Sequence, residues 1–423
     1  MNFLDIVFYI TYFFVLFYSV YLLLSLITKI FVKEEKKESK SLTATIVIPA
    51  YNEEENISKT ILSALKLDYP KKKLKIVIVN DGSTDDTLKI ARKFEKKYSN
   101  VKVINQKNIG KGASLNKVLK HTNTDLFIVF DSDSRIEKSA LKKIVPYFEE
   151  KDVAAVSPFM IVEKPKNLLQ KIQYIEYLIF SFLRKIHSIT DIVNVIPGPF
   201  SVYKTKILKE IKGFDENSIV EDQEVAWRLQ KKGYRILHET NAKVYTVTPD
   251  NIRKLVNQRK RWYKGSLETI DKHKDAIFNI KLGNFGLFQT PALFFSNFIL
   301  PILGLILLFN MIVISTIKKV YRLYYEGLHF EFNIKDFITQ IQTFWLTIDF
   351  SKVALLSLLL IITLYWVFTS FFYSDKKFNK NNIIPLITYI FFYYMIMTYV
   401  LLISLYEFFK NKIFKERKKV WYK

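Results

Sequence analysis

The sequence predicts an α/β domain with a mostly parallel sheet, flanked by α-helices that cross a membrane. Three observations predict it. Short β-branched runs recur between Ala44 and Phe130, separated by stretches of helical periodicity. That alternation gives parallel strands joined by right-handed crossovers. Long uncharged runs stand before and after this region, each exceeding the about 20 apolar residues a spanning helix needs. Finally, the apolar run Leu126–Phe130 passes directly into Asp131-Ser132-Asp133. Ligands of open α/β sheets bind outside the carboxyl ends of the strands, and two carboxylates one residue apart there can face a single hard cation.

Composition sets limits. The chain has 423 residues, half of them hydrophobic, enough for one sizeable soluble domain plus other material. The formal net charge of +24 comes from dispersed Lys and Arg rather than blocks, which speaks against a nucleic-acid stripe. It suits anionic lipid head groups and phosphate-bearing substrates. The absence of Cys excludes disulfides and thiolate metal sites, and none of the five His pairs at metal-ligand spacing.

In chain order, Asn2–Phe31 carries only Asp5 and Lys29 as charges and lacks the leading basic residues and cleavage site of a signal peptide. It reads as a membrane anchor. The flank Lys33–Lys37 is basic in number and predicts a cytoplasmic position for the next domain. Ala44–Pro49 is a strand, and a helical pattern follows it through Leu67. Leu74–Asn80 is a second strand, with Ser83 or Thr84 expected to cap the helix that runs to Tyr98. Val101–Asn105 and Leu126–Phe130 complete the set. Asn167–Ile189 is an amphipathic helix that suits the sheet and the membrane surface equally. Ile196–Tyr203 is a Gly/Pro loop entering a short strand, Val220-Glu221-Asp222 opens a helix that stops at Gly233, and another helix starts at Asn251.

The expected layout is an anchor over 1–32 and a catalytic domain over 41–280, with interfacial helices near 167–189 and 251–266. Spanning helices follow over 284–317, 353–374 and 381–406, with a basic tail over 407–423. Pro291 and Pro301 are expected to split the first of these into an interfacial piece and a span. The patch Phe337–Phe350 suits an interfacial or re-entrant segment. Three C-terminal spans would leave the tail outside, whereas its basic character argues for inside, so the topology stays open by one span.

Four clusters carry chemistry that fits one site. Asp81 ends the second strand, where a carboxylate can accept hydrogen bonds from a base or ribose. Asp131 and Asp133 end the fourth. Glu221 and Asp222 begin a helix, and Gln258, Arg261 and Trp262 share a helical face. Transfer from a nucleotide-sugar needs a cation against the leaving diphosphate and a carboxylate base for the attacking hydroxyl. Each cluster also has an ordinary structural reading: Asp81 as a helix cap, Glu221 and Asp222 as acids favoured by a helix dipole, Trp262 as an interfacial anchor. A dipole there would lower the pKa of Asp222 and weaken it as a base unless burial offsets it.

In order, PAYNEEE (Pro49–Glu55), VNDGSTDD (Val79–Asp86), NIGKGASLN (Asn108–Asn116), DSD (Asp131–Asp133), ED (Glu221–Asp222) and QRKRW (Gln258–Trp262) resemble the family-2 glycosyltransferases. The likeness is to the membrane-embedded branch of cellulose, chitin and hyaluronan synthases. It runs from about Thr43 to Gly265, and the six motifs are specific jointly rather than singly.

The resemblance implies a GT-A fold using a UDP-sugar with Mg²⁺ or Mn²⁺. It implies that Asp81 contacts uridine with Tyr51 and Glu53 nearby, that Asp131 contacts the nucleotide, and that Asp133 ligates the metal. It further implies that Asp222 is the general base beside Glu221, that Lys111 lies near the donor, and that Gln258, Arg261 and Trp262 hold diphosphate and acceptor sugar. Departures exist. Val220 stands where the branch usually has Thr, and the loop Ile196–Phe200 lacks the Cys-containing form of cellulose synthases, which argues against cellulose. The expected activity is inverting, processive synthesis of a β-linked glycan of chitin, hyaluronan or poly-N-acetylglucosamine type on the cytoplasmic membrane face. The rivals are single transfer to a membrane lipid (ceramide or polyprenyl phosphate) and a non-catalytic nucleotide-sugar-binding scaffold. The expected partners are the UDP-sugar, a glycan or lipid acceptor and membrane lipids, with no nucleic acid.

Overall fold

The computed structural model describes residues 3–30, 42–309, 313, 315–326 and 349–414. The basic flank Lys33–Lys37, nearly all of the patch Phe337–Phe350 and the tail from 415 onward lie outside the described residues.

One eight-stranded sheet organises the domain, in the order β3-β2-β1-β4-β7-β6-β8-β5. Its strands are β1 (Ala44–Ala50), β2 (Leu74–Asp81), β3 (Val101–Gln106), β4 (Leu126–Val129), β5 (Arg135–Ile136), β6 (Val153–Val162), β7 (Ser201–Lys204) and β8 (Arg235–Thr246). The first four are mutually parallel. β7 enters antiparallel between β4 and β6, while β8 runs parallel to β6. The helices of the domain and of the segment before it are α1 (Phe3–Ile30), α2 (Ile57–Leu65), α3 (Thr87–Lys97), α4 (Lys111–Lys120), α5 (Ala140–Ile144), α6 (Leu168–Ile189), α7 (Thr205–Glu210), α8 (Glu221–Lys231) and α9 (Ile252–Lys272).

Every residue of β1 and β4 is buried. Alternate positions enter opposite cores: Ile46, Ile48 and Ile128 face one, Val47, Phe127 and Val129 the other. Both sheet faces are covered, which explains the unbroken apolar runs. Pro49 falls beyond the last β1–β4 register pair, Val47–Val129, where a missing N–H removes no bond to β4.

α6 is buried on both sides. One side lies on β6 through Phe159 and Ile161; the other meets α1 and the apolar C-terminal helices through Leu22, Trp366, Phe371 and Tyr389. The sheet-packing reading of its periodicity is realised, and its other side is covered by apolar helices.

Among the described residues, four helices are long and apolar enough to cross a membrane: Asp5–Ile27, Phe285–Gly304, Phe350–Tyr373 and Lys380–Ile413. Large side chains such as Phe13, Ile361 and Tyr399 stay exposed on them, as lipid-facing residues do. Pro291 and Pro301 do not split the second of these helices. π-helical turns at Phe285–Gln289 and Phe295–Ile299 precede the two prolines. The wider turn accommodates a ring that lacks an N–H and would clash with the preceding carbonyl, so the helix continues.

Candidate active site

β1, β2 and β4 run parallel, so their carboxyl ends open on one edge, and the loops there interlock. The Ser83 hydroxyl oxygen accepts the Asn52 N–H at 3.0 Å, the Asn52 side-chain oxygen accepts the Thr84 N–H at 2.8 Å, and Thr87 Oγ1 accepts the Glu53 N–H at 2.7 Å. Neither Ser83 nor Thr84 caps the next helix, contrary to expectation. Both belong to this clasp, and α3 starts one turn later, with Asp85 accepting the Thr87 N–H at 3.0 Å. The clasp holds Tyr51 and Glu53 on the loop directly after β1.

Asp81 is 1% exposed. Its carboxylate accepts the Gln106 amide at 2.8 Å and the Ile109 and Gly110 N–H groups, both at 3.0 Å. These bonds do not cap α3; they tie the end of β2 to the turn that delivers Lys111 as the first residue of α4. Lys111 then bridges two clusters far apart in sequence, with Nζ 2.8 Å from Asp131 and 2.7 Å from Glu221. Burial pulls its ammonium down, but the carboxylates of Asp131, Glu221 and Asp222 outweigh that and hold it well above its ordinary value.

Gly198 fits this pair closely. A Cβ there would sit 2.6 Å from Asp131 Oδ2 and 2.8 Å from Lys111 Nζ. Those are mobile side-chain ends rather than backbone. Gly198→Ala is therefore expected to fold, at some cost in thermal stability, yet separate Lys111 from Asp131, weakening by about tenfold or more the UDP binding that the sequence resemblance implies, as read in a UDP titration.

Asp133 sits on the turn after β4. The turn is tied down by the Thr60 hydroxyl, which donates to the Ser132 and Ser134 carbonyls, and by the Ser134 hydroxyl, 2.9 Å from Asp133 Oδ1. Burial, then Asp131 and Glu53, push the Asp133 carboxyl up to about 7. Crowding acids this closely is costly unless a cation joins them. Among the described residues no three His, Cys, Asp or Glu side chains converge as a metal-binding group. A cation here would draw its remaining ligands from a bound substrate.

Glu221 and Asp222 open α8, and their environments split them. Burial raises Glu221, but contact with Lys111 outweighs it and leaves the carboxyl below its ordinary range. Burial and then the neighbouring Glu221 push Asp222 up to about 6. Burial thus offsets the helix dipole at Asp222. One carboxylate is neutralised by a lysine while its neighbour keeps an affinity for protons, the pattern of an acid–base site.

α9 is pressed onto this helix start. A Cβ at Gly265 would lie 2.5 Å from Val220 Cγ2, and Gln223 donates to the Ser266 hydroxyl at 3.2 Å. Arg261 faces the site closely enough for its charge to act on Glu221 and Tyr177. Trp262 lies 6.5 Å from the Tyr177 ring, and Gln258 Oε1 is buried without a hydrogen-bond partner. The fold thus brings Lys111, Asp131, Glu221 and Asp222 together, with Asp133, Glu53, Arg261 and Trp262 around them. Asp81 is spent on the supporting turn, and Tyr51 is placed on the clasped loop.

Sequence reasoning passed over Arg259. Its guanidinium stacks 4.0 Å over the Trp262 ring and pairs with Glu176 of α6 at 2.5 Å, and Tyr393 donates to the same Glu176 oxygen at 3.1 Å. A carboxylate interrupting the apolar stripe of α6 and a second Arg inside QRKRW were the available signals.

Residues 45–212 match the family model for Glycosyl transferase family 2. The chain is therefore a glycosyltransferase with a family-2 domain, framed by helices long and apolar enough to span a membrane. Among relatives, it is 28% identical over 386 residues to poly-beta-1,6-N-acetyl-D-glucosamine synthase of Staphylococcus epidermidis, covering 89% of this chain and 87% of that one. It is likewise 28% identical over 398 residues to the probable glycosyltransferase YdaM of Bacillus subtilis, covering 92% and 88%. Among solved structures, the mannosyltransferase PcManGT of Pyrobaculum calidifontis superposes with a TM-score of 0.58 at 17% identity, covering 92% of this chain and 99% of the other. That likeness identifies the shared GT-A fold.

Proposed function

We propose that this enzyme transfers N-acetylglucosamine or a related hexose from a UDP-sugar to the end of a β-linked polysaccharide, with inversion, at the cytoplasmic membrane face. The observation that carries the reading is the split pair: Lys111 neutralises Glu221, while Asp222 is left with a raised proton affinity beside the site. Similarity along most of the chain to a poly-β-1,6-N-acetylglucosamine synthase supports the polymer product and the N-acetylated sugar.

Asp222 is the general base that takes the proton of the acceptor hydroxyl as that oxygen attacks the anomeric carbon from the side opposite the leaving diphosphate. Inversion needs one such base and no covalent intermediate. Lys111 and Arg261 meet the negative charge that grows on the diphosphate as the bond to the sugar breaks. Asp81, through the turn it holds, and Tyr51 and Glu53, through the clasp, frame the uridine end; Asp131 contacts the nucleotide. Trp262 offers an aromatic face to the acceptor sugar, with Gln258 beside it.

The donor set fits Mg²⁺ or Mn²⁺. Asp133, crowded by Asp131 and Glu53, would hold the ion with diphosphate oxygens completing its shell, the usual arrangement for Mg²⁺ at nucleotides. The Pyrobaculum calidifontis mannosyltransferase of the same fold was solved with GDP-Man and Mn²⁺. Bound there, the ion would stabilise the departing diphosphate.

The test is purified protein in lipid nanodiscs with a panel of radiolabelled UDP-sugars, product sizing, and parallel samples in EDTA. High-molecular-weight, hydrolase-sensitive product from UDP-N-acetylglucosamine, lost with EDTA and restored by Mn²⁺, is expected. A single species extracting into organic solvent would move the acceptor to a membrane lipid. UDP release from no donor would overturn the donor class.

A further inference from the structure

Arg184 on α6 is an anomaly. It is 7% exposed, its Nη1 has no hydrogen-bond partner, and no ion pair reaches it among the described residues. A buried guanidinium left unpaired forfeits solvation that nothing within the protein replaces, which a bound molecule could supply. Its titratable neighbours do not resolve the imbalance. Burial, and then the charge of Arg184 itself, pull His187 down to about 3, and His238 is also driven well below its ordinary value, so both are neutral. The groups whose charge favours Arg184 are Asp222 and Tyr177.

That places it. Tyr177 and Arg184 stand seven residues apart, two turns along one face of α6. Between them Ser181 pins the face to β6, accepting the Met160 N–H at 3.1 Å and donating to its carbonyl at 3.0 Å. Tyr177 senses Asp133 and Arg261 and lies beside Trp262. The face carrying Arg184 therefore borders the site on the side of Asp222.

We propose that Arg184 is an acceptor-binding residue, its guanidinium donating to a hydroxyl or acetamido oxygen of the sugar whose hydroxyl Asp222 deprotonates. This rests on the reading of function above. A phosphate in that place would set an anion against ionised Asp222; a neutral sugar oxygen accepts the bond without adding charge.

The experiment compares wild type, Arg184→Met and Arg184→Lys in nanodiscs, with saturating UDP-N-acetylglucosamine, Mn²⁺ and varied N-acetylglucosamine oligosaccharide. Expected for Arg184→Met is a rise in acceptor KM of about tenfold or more with donor KM unchanged, and partial recovery in Arg184→Lys. The unfolding temperature of Arg184→Met should hold or rise, because no internal partner is lost. A fall in unfolding temperature overturns the proposal by revealing a structural role. Unchanged acceptor KM, or wild-type turnover indifferent to sugar acceptor, overturns it as well. If wild type turns over no donor, the reading of function fails instead, and the unfolding comparison still tests whether Arg184 lacks an internal partner.

Discussion

Asp222→Asn is expected to lower transfer by about 10²–10⁴-fold while UDP binding stays within twofold of about the wild-type value, because the amide keeps the shape of the site and loses only the proton acceptor. Asp222 works as a base when ionised. With its carboxyl pushed up to about 6, kcat/KM should fall by about tenfold per pH unit below that value. The stability effect has the opposite sense. A carboxyl whose folded pKa is raised favours the native state when protonated, and that contribution is lost as pH rises through about 6. The Asn variant has no such loss, so at pH 8 it should unfold no earlier than wild type. A pH–rate profile with calorimetry on the same preparations reads both effects, and retained transfer in the variant would remove Asp222 from the role of base.

The second large effect concerns the joint beneath the site. Arg259→Met should destabilise the protein by about 3–5 kcal/mol, since it leaves the buried Glu176 without its cation, held by the Tyr393 hydroxyl alone. Burial already raises the Glu176 carboxyl despite the opposing charge of Arg259, so the pair is costly to break. The loss should appear as early thermal unfolding in nanodiscs. The double variant Glu176→Leu with Arg259→Met should recover much of it, because a buried pair replaced by apolar side chains costs little. Activity should fall in both variants, because Trp262 loses the guanidinium stacked on its face. Equal stability of single and double variants would contradict the argument.

Much of the candidate site is legible in the sequence. Asp131, Asp133, Glu221 and Asp222 announce themselves because acids at strand ends and helix starts are short, local patterns, and six such patterns in order are improbable by chance. Other features were hidden for physical reasons. β6 and β8 lie in the stretch where the simple strand–helix alternation stops, and β7, between β4 and β6, pairs antiparallel, so their places in the sheet follow from no local repeat. Ser83 and Thr84 looked like helix caps because their chemistry suits that role equally; the nearness of Asn52, 31 residues away, decides for the clasp. Pro291 and Pro301 looked like helix ends because the cost of proline is reckoned for an α-turn, not for the π-turns that precede them.

The sequence by itself determined the α/β class, the β1–β4 core, the apolar helices and the family, all of which rest on periodicity and short motifs. Only the tertiary structure decided which acid is neutralised and which retains a proton, since that depends on Lys111 arriving from a different strand end. Only it revealed Arg259 joined to Glu176, and Arg184 buried without a partner. A side chain's charge state and its lack of a partner are set by neighbours scattered along the chain. No local pattern records those neighbours, because they meet only when the sheet and the helices close around them.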